Sequence, residues 1–323
     1  MHFTAIPGID KPVARLIQGT VPLTMADLEG SFALLDGVMA AGGTTFDTAH
    51  GYNDGDCERI LGRWMAERGN REKVVVISKG AHHNRDRKRV TPYDITSDLM
   101  DSLARLKTDY IGLYLLHRDD PAASVGPIVE ILNEHRQAGR IRAFGGSNWT
   151  HERLAAANTY AAAHGLIPFA ASSPNFSLAQ QIREPWSGCV SIGGPTQQEA
   201  RAWYRETGLA VLSWSSLAGG FFTRRIQPAD LADPGRLADH YDQLSLSSYG
   251  SPANFARRDR AAGLAQQKGV GLPQLALAYV LNSPLNTFAI LGSRTPAEFV
   301  DNLDALDLIL TPEELAWLEG MGE

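Results

Sequence analysis

Short apolar segments alternating with helical ones along the whole chain predict a single (β/α)8 TIM barrel over residues 1–323, with a short amino-terminal hairpin cap and an extra carboxyl-terminal helix. Three observations carry this expectation. Strand-like runs and segments of helical spacing follow one another in strict turn, eight times over. The strand-like runs are mostly hydrophobic throughout, as strands covered on both faces must be. No linker or shift in composition divides the chain, and no G-x-G-x-x-G marks a doubly wound fold, since Gly269-Val270-Gly271 lacks the third glycine and follows no strand.

The elements follow in order. Residues 3 to 13, with Pro7-Gly8, read as the hairpin cap before a first core strand, Ala14 to Gly19. A helix from Met25 to Ala41 places Leu28, Phe32, Leu35, Val38 and Met39 at helical spacing, and Thr44 to Phe46 is strand two. Cys57 to Arg68 is a helix burying Ile60, Leu61, Trp64 and Met65, and Val74 to Ser78 is strand three. Thr91 caps a helix running to Leu106, with Pro92 at its first position, where a missing N–H costs nothing. Tyr110 to Leu116 is strand four, Gly126 to Gln137 a helix stopped at Gly139, and Arg140 to Phe144 strand five. An Ala-rich helix from Thr150 to His164 leads to strand six, Pro168 to Ser172. Helix Gln197 to Glu206, strand Leu209 to Trp214, helix Pro273 to Leu281 and strand Thr287 to Leu291 complete eight strands, and helices Pro296 to Leu306 and Pro312 to Glu319 close the chain. A barrel needs about 250 residues. The surplus falls in the cap, in Gln180 to Pro195, in Leu217 to Ser251 and in the last helix, and long inserts after strands are where barrels keep substrate loops.

Charge and composition narrow the function. A net charge of −6 argues against general attraction to nucleic acid or an anionic membrane. The basic run His82 to Val90 reads first as a solvated loop, and second as a rim attracting an anionic ligand. Cys57 and Cys189 form no metal-like or C-x-x-C spacing, which suits a reducing compartment. No run approaches the ~18 apolar residues of a membrane span. The amino terminus lacks a signal-peptide profile, so the expectation is a cytoplasmic protein with no metal, and nothing in the chain sets an oligomeric state.

Strand ends carry the chemistry. Asp47, Lys79 and His117 each fall where one of three successive strands runs out, and Tyr52 follows Asp47 by five residues. A lysine beside a phenol favours phenolate, and Asp47 would keep that lysine charged and oriented. This reading expects Tyr52 to be a proton donor with a lowered pKa, and His117 to hydrogen-bond a carbonyl. No good covalent nucleophile and no phosphate-cradling P-loop accompanies them. The set suits proton transfer to a carbonyl oxygen, with hydride supplied by something else. Each piece alone has an ordinary explanation as a cap, a turn or a core residue; their joint placement on separate strands is what argues for chemistry.

With these residues in place, the chain resembles the aldo-keto reductases over nearly its full length. FDTAHGY matches that family's D-T-A-x-x-Y signature, and Lys79 after VVVIS and His117 after YIGLYLL complete its Asp-Tyr-Lys-His tetrad. The resemblance implies an oxidoreductase interconverting aldehyde or ketone and alcohol, with Tyr52 as general acid and base. It implies a nicotinamide cofactor lying across the barrel mouth, with Thr20 and Asp47 beside it. Ser147 and Asn148, in GGSNW, match the pair that holds the carboxamide, and Trp214 the aromatic that stacks on the nicotinamide. Ser215, Ser216, Leu217 and Gly219, in WSSLAGGFF, match the pyrophosphate loop. Gly292, Ser293 and Arg294 match the site near the 2′-phosphate, and Glu298, Asp301 and Asn302 that near adenine and its ribose.

The chain departs from the family pattern in places. Ser173 stands where a Gln is common, Phe176 where a Tyr is usual, Gln181 where an Arg is usual, and Gly112 where an Asp is usual. Glu298 replaces an Arg or Gln and would repel a 2′-phosphate, whereas Ser293 and Arg294 would bind one. The balance favours NADP(H), with NAD(H) as the alternative. The rim positions are Thr20-Val21-Pro22, His82, Arg118, Trp149 and the Leu217 to Ser251 loop with His240, Tyr241 and Tyr249; Trp149 and the tyrosines hint at a ring-bearing or sugar-like small molecule. A second reading is a cofactor-sensing regulatory subunit with little turnover, resembling the potassium-channel beta subunits through the W-S-S-L loop; the lack of an amino-terminal extension counts against it.

Overall fold

The computed structural model describes residues 1–321. The chain opens on an antiparallel pair, β1 (Phe3–Thr4) and β2 (Val13–Ala14), in which Phe3 lies opposite Ala14. There follow β3 (Leu16–Gly19), α1 (Leu28–Ala40), β4 (Thr45–Asp47), α2 (Asp56–Arg68), β5 (Val75–Gly80) and α3 (Pro92–Leu106). Next come β6 (Ile111–Leu116), α4 (Val125–Gln137), β7 (Ile141–Ser147), α5 (His151–Ala163) and β8 (Ala171–Ser173). The rest of the chain forms α6 (Gln198–Thr207), β9 (Ala210–Ser213), α7 (His240–Tyr249), α8 (Pro252–Lys268), α9 (Leu272–Leu281), β10 (Thr287–Leu291), α10 (Pro296–Asp301) and α11 (Pro312–Glu319). Among the described residues, β3 to β10 form a closed parallel barrel in the order β10-β3-β4-β5-β6-β7-β8-β9, the (β/α)8 fold with its hairpin cap and last helix. No helix of the described residues is long and apolar enough to cross a membrane.

Contacts group the chain into two compact units, Met1–Ser173 with Gly292–Phe299, and Pro174–Leu291 with the residues from Val300 onward. In the first unit, β5 and β6 are buried at every position, as expected of strands covered on both faces. Register sets Asp47 opposite Ile77, and Lys79 comes two residues further along β5, on the same face as Ile77. Lys79 pairs with Leu115 and Ser147 with Ser173. Asp47, Ser147 and Ser173 are each the last residue of a strand, and His117 follows β6 directly. Helix α3 begins as expected: Thr91 Oγ1 accepts from the Asp94 N–H at 3.2 Å, and Pro92 occupies the first turn.

In the second unit, the 180–195 insert is tied down through Asn175. The Asn175 N–H donates to the Val190 carbonyl (2.8 Å), its own carbonyl accepts from Ile192 (2.9 Å), and its Oδ1 accepts from Ser191 Oγ (2.9 Å). Its amide nitrogen donates to the Tyr249 hydroxyl (2.9 Å) and the Trp214 carbonyl (3.2 Å).

Several expectations need correction. Ala14 belongs to the hairpin, and the first barrel strand starts at Leu16. Strand six is shorter and later than the expected Pro168 to Ser172. The segment Leu217 to Ser251 contains α7, and α8 follows it directly, so three helices separate β9 from β10. The expected helix Pro296 to Leu306 is α10 followed by a tighter 3₁₀ turn over Asn302–Leu306. Two rim aromatics are core residues. Trp149 is fully buried and donates its indole N–H to the Arg118 carbonyl at 3.2 Å, and Tyr249 is 2% exposed.

Candidate active site

The loop after β4 makes an unusual backbone turn to present Tyr52. Asn53, Asp54 and Gly55 all take left-handed φ values, of 47°, 52° and 87°. Asn and Asp tolerate that region better than other side-chain-bearing residues, and Gly pays nothing for it. Asn53 also anchors the turn, donating through its amide to the carbonyls of Val21 (3.2 Å) and Leu23 (3.0 Å). Two left-handed non-glycine residues in a row, Asn53 and Asp54, are the kind of strain that persists only when surrounding contacts hold it.

Lys79 joins the strand ends. Its Nζ donates to Asp47 Oδ1 at 2.6 Å, to the Thr48 carbonyl at 3.0 Å and to the Tyr52 hydroxyl oxygen at 3.1 Å. An ammonium has three protons, so these contacts use all of them. Since Tyr52 accepts from Lys79, its own O–H proton is left to point elsewhere. The His117 ring stands edge-on to the Tyr52 ring, centroids 5.6 Å apart, and His82 stands 4.8 Å from His117. The structure thus brings Asp47, Tyr52, Lys79 and His117 into one cluster.

Burial dominates the electrostatics of this cluster. It works to lower the Lys79 ammonium, but Asp47 and the phenol together hold that ammonium above its ordinary value. Burial pushes Asp47 above the ordinary carboxylate value and the bonded Lys79 pulls it part of the way back; we assign the pair as an ion pair because every Lys79 proton then has an acceptor. For Tyr52 the expected lowering is overturned. Burial raises its pKa, and the Lys79 charge pulls it back without cancelling the rise. His117 lies well below the ordinary histidine value, through burial first and then the charges of Lys79 and Arg118, so its imidazole is neutral at pH 7.

The His117 shift has a consequence for stability. Its folded pKa lies below its unfolded value, so below about pH 6.5 the unfolded chain takes up a proton that the folded one refuses. Stability therefore falls on acidification from about pH 6.5, by up to about 1.4 kcal/mol per pH unit from this group. Urea denaturation of wild type and His117→Gln at pH 7.5, 6.5 and 5.5 measures it. The variant should lose less stability over that interval, and equal losses would dismiss the assignment.

The positions expected at a cofactor divide between the two units. In the first, the Ser147 hydroxyl donates to the Ser173 carbonyl at 3.0 Å. Asn148 is left-handed (φ 57°), and its amide donates to the His117 carbonyl at 3.3 Å. Thr20 follows β3 and its N–H donates to the Asp47 carbonyl at 2.8 Å. Gly292 has open space beside it, and Glu298 Oε2 accepts from the Arg294 backbone N–H at 2.7 Å. Asp47 Oδ2, His117 Nδ1 and Ser293 Oγ are among the buried side-chain atoms that have no hydrogen-bond partner within the described residues. In the second unit, Ser215, Ala218, Gly219 and Gly220 are all left-handed, turning the backbone sharply after Trp214. Ser216 Oγ is buried against Ser213 at 2.8 Å, Asp301 offers its carbonyl to Gln274 at 2.8 Å, and Asn302 is buried.

The basic run is largely neutralised. Arg87 pairs with Asp94 at 2.5 Å, Arg89 with Asp98 at 2.6 Å and Lys88 with Asp120 at 3.2 Å. Asp98 also accepts from the N–H of Ala81, a left-handed residue at φ 58°. The run fastens the loop after β5 to α3, which favours its reading as a structural loop. Thr48, as the third acceptor for Lys79, was not singled out from the sequence. A backbone carbonyl leaves no side-chain signal.

Residues 15–323 match the model of the aldo/keto reductase family. The chain is 29% identical over 315 residues to the aldo-keto reductase ausK of Emericella nidulans, covering 92% of this chain and 73% of that one. It is 25% identical over 304 residues to a probable aryl-alcohol dehydrogenase, AAD4, of Saccharomyces cerevisiae, covering 91% and 88%. A solved structure of a thermostable aldo-keto reductase, Tm1743, shares the fold at a TM-score of 0.74 and 20% identity, over 100% of both chains. Matched by the family model from Arg15 onward, and similar along its length to oxidoreductases, the chain belongs to the aldo/keto reductase family.

Proposed function

We propose that this chain is an NAD(P)(H)-dependent oxidoreductase that interconverts carbonyl and alcohol groups, with Tyr52 exchanging the proton. One observation carries the proposal: Lys79 spends its third proton on the Tyr52 oxygen, which leaves the phenol proton available to a substrate. In reduction, Tyr52 donates that proton to the carbonyl oxygen as the carbonyl carbon gains hydride. In oxidation the same oxygen takes the proton back. Neutral His117 offers an N–H to the carbonyl oxygen and orients it, and Asp47 holds Lys79 charged and in place.

The bound nicotinamide cofactor supplies or accepts the hydride. The residues present suit such a group: Ser293 Oγ and Asp47 Oδ2 are buried polar atoms still lacking a partner, and Gly292 leaves room beside the backbone. Ser147, Asn148 and Ser173 would hold the carboxamide, and Trp214 would stack on the ring. Ser215, Ser216, Leu217 and Gly219 would hold the pyrophosphate, and Asp301 and Asn302 the adenosine end. Glu298 is turned onto the backbone of Arg294 as a helix-starting contact, which weakens the objection that its charge repels a 2′-phosphate. With Ser293 and Arg294 alongside, NADP(H) is favoured over NAD(H).

The test is turnover by the purified protein of a panel of aldehydes and ketones with NADPH and with NADH. The panel begins with aryl aldehydes because a relative is named as an aryl-alcohol dehydrogenase. Tryptophan fluorescence reports cofactor affinity, expected tighter for NADPH. Failure to bind either cofactor, or no carbonyl-dependent oxidation of either, would sink the proposal; equal affinities would remove the coenzyme preference alone.

A further inference from the structure

A second set of charged contacts, taking no part in proton transfer, ties β5 to the loop that carries Tyr52. Glu58 of α2 is fully buried. Its Oε1 accepts from Ser78 Oγ at 2.7 Å, and its Oε2 accepts from Arg105 Nη1 of α3 at 3.3 Å. The same Arg105 nitrogen donates to the His50 carbonyl at 2.8 Å. Ser78 is the chain neighbour of Lys79, and His50 precedes Tyr52 by two residues. The His50 N–H in turn donates to the Lys79 carbonyl at 2.8 Å. From outside, the His50 ring is held by Asp101 at 3.2 Å and Asp98 at 3.8 Å.

The connections form a closed ring. One arc runs from β5 through Ser78, Glu58 and Arg105 to the loop that carries Tyr52; the other runs directly from His50 to the β5 backbone. Any change in the height of that loop above β5 must stretch one arc or the other. The molecule makes room for the longer arc with two glycines. A Cβ on Gly55, itself left-handed, would stand 2.6 Å from Arg105 Nη1, and one on Gly62 would collide with the Arg105 carbonyl. A fully buried carboxylate against a guanidinium that is 19% exposed is a poor way to fill space, since an apolar residue in place of Glu58 would avoid its desolvation. Their use here calls for a geometric reason, and the ring provides one.

We propose that Glu58 and Arg105 are positioning residues that set the separation of Lys79 Nζ from the Tyr52 oxygen. Neither touches the reacting atoms. The inference rests on Tyr52 being the proton donor, and its role is to keep that donor within reach of the ammonium that makes it usable. A displacement of about 1 Å in such a contact is enough to cost on the order of 100-fold in rate.

The test compares Arg105→Met, Glu58→Gln and Ser78→Ala with wild type, using full-length protein, an aldehyde that wild type reduces and the preferred cofactor. Two readouts are taken: kcat against KM, and titration of the Tyr52 phenol by NMR of [¹³Cζ]tyrosine, assigned with Tyr52→Phe. Arg105→Met should lower kcat roughly 10- to 100-fold with KM within about threefold, and its Tyr52 should titrate at higher pH because Lys79 has moved away. Ser78→Ala, which removes one hydroxyl and keeps both charges, should shift both readouts the same way by less. Wild-type kcat and an unmoved titration in folded Arg105→Met would overturn the proposal. If Arg105→Met and Glu58→Gln do not fold, Ser78→Ala decides it by the same criteria. Tyr52→Phe separates the two levels: if it stays active, the proton-donor reading falls and the positioning role with it. If it is inactive while Arg105→Met and Ser78→Ala match wild type, only the positioning role falls.

Discussion

Tyr52→Phe is expected to lower kcat for carbonyl reduction by roughly 100- to 10,000-fold, the usual worth of a positioned general acid. The substitution keeps the ring, whose centroid lies 4.7 Å from Lys79 Nζ, and removes only the hydroxyl. Cofactor affinity should therefore hold within a few-fold, and KM for the carbonyl should change far less than kcat. The pH dependence sharpens the expectation. Tyr52 titrates above the ordinary phenol value of about 10 because burial outweighs the nearby ammonium. In wild type the donor is thus protonated through neutral and mildly alkaline pH, and reduction should show no alkaline fall-off from Tyr52 up to about pH 10. Oxidation needs the deprotonated form and should rise with pH throughout. Stopped-flow rates of both directions between pH 6 and 10 check this, and a reduction rate that falls through neutral pH would count against the assignment.

The sign of that shift shows where one-dimensional reasoning stops. The sequence places a lysine and a phenol at neighbouring strand ends, and from proximity alone the phenol's pKa should drop. How deeply the pair lies is a property of the closed barrel, and desolvation is the larger effect. Depth also explains Trp149 and Tyr249. Both are aromatic residues near strand ends or long loops, and both pack inward where the rim was expected.

Periodicity made the barrel itself readable, because apolar strands buried on both faces leave a strong signal. The same criterion passed over α8, whose sequence PANFARRDRAAGLAQQK holds only two large apolar side chains, Phe255 and Leu264. Its ends did carry signals: Ser251 and Pro252 open it, and left-handed Gly269 closes it. Four of its six buried positions, Phe255, Arg258, Ala261 and Leu264, recur at intervals of three, with an arginine standing where a hydrophobic residue would be sought. Glu58 escaped notice for the opposite reason. It lies on the apolar side of α2, three residues before Leu61 and seven before Met65, and a carboxylate in that stripe was itself the clue. Its partners come from another helix and another strand, and no spacing along the chain reveals them.

Lys79→Met is expected to destabilise the fold by about 3–5 kcal/mol, the cost of breaking a buried ion pair from one side. Both side chains are only 3% exposed. Removing the ammonium leaves Asp47 facing the low-dielectric interior with Oδ2 already lacking a partner and Oδ1 losing its own. The Thr48 carbonyl loses a donor as well. A companion variant, Lys79→Met with Asp47→Asn, removes both charges and should recover most of the loss, since the net worth of a buried pair over neutral residues is small. Urea denaturation at pH 7 separates the two. A single variant within about 1 kcal/mol of wild type, below the 3–5 kcal/mol expected, or a double variant no more stable than the single, would mean that Asp47 is not held as a buried carboxylate. Neither variant should reduce a carbonyl, because each leaves Tyr52 without the charge that offsets its burial. A pair that adds little to stability when intact, yet costs so much when half removed, has its explanation in the phenol beside it.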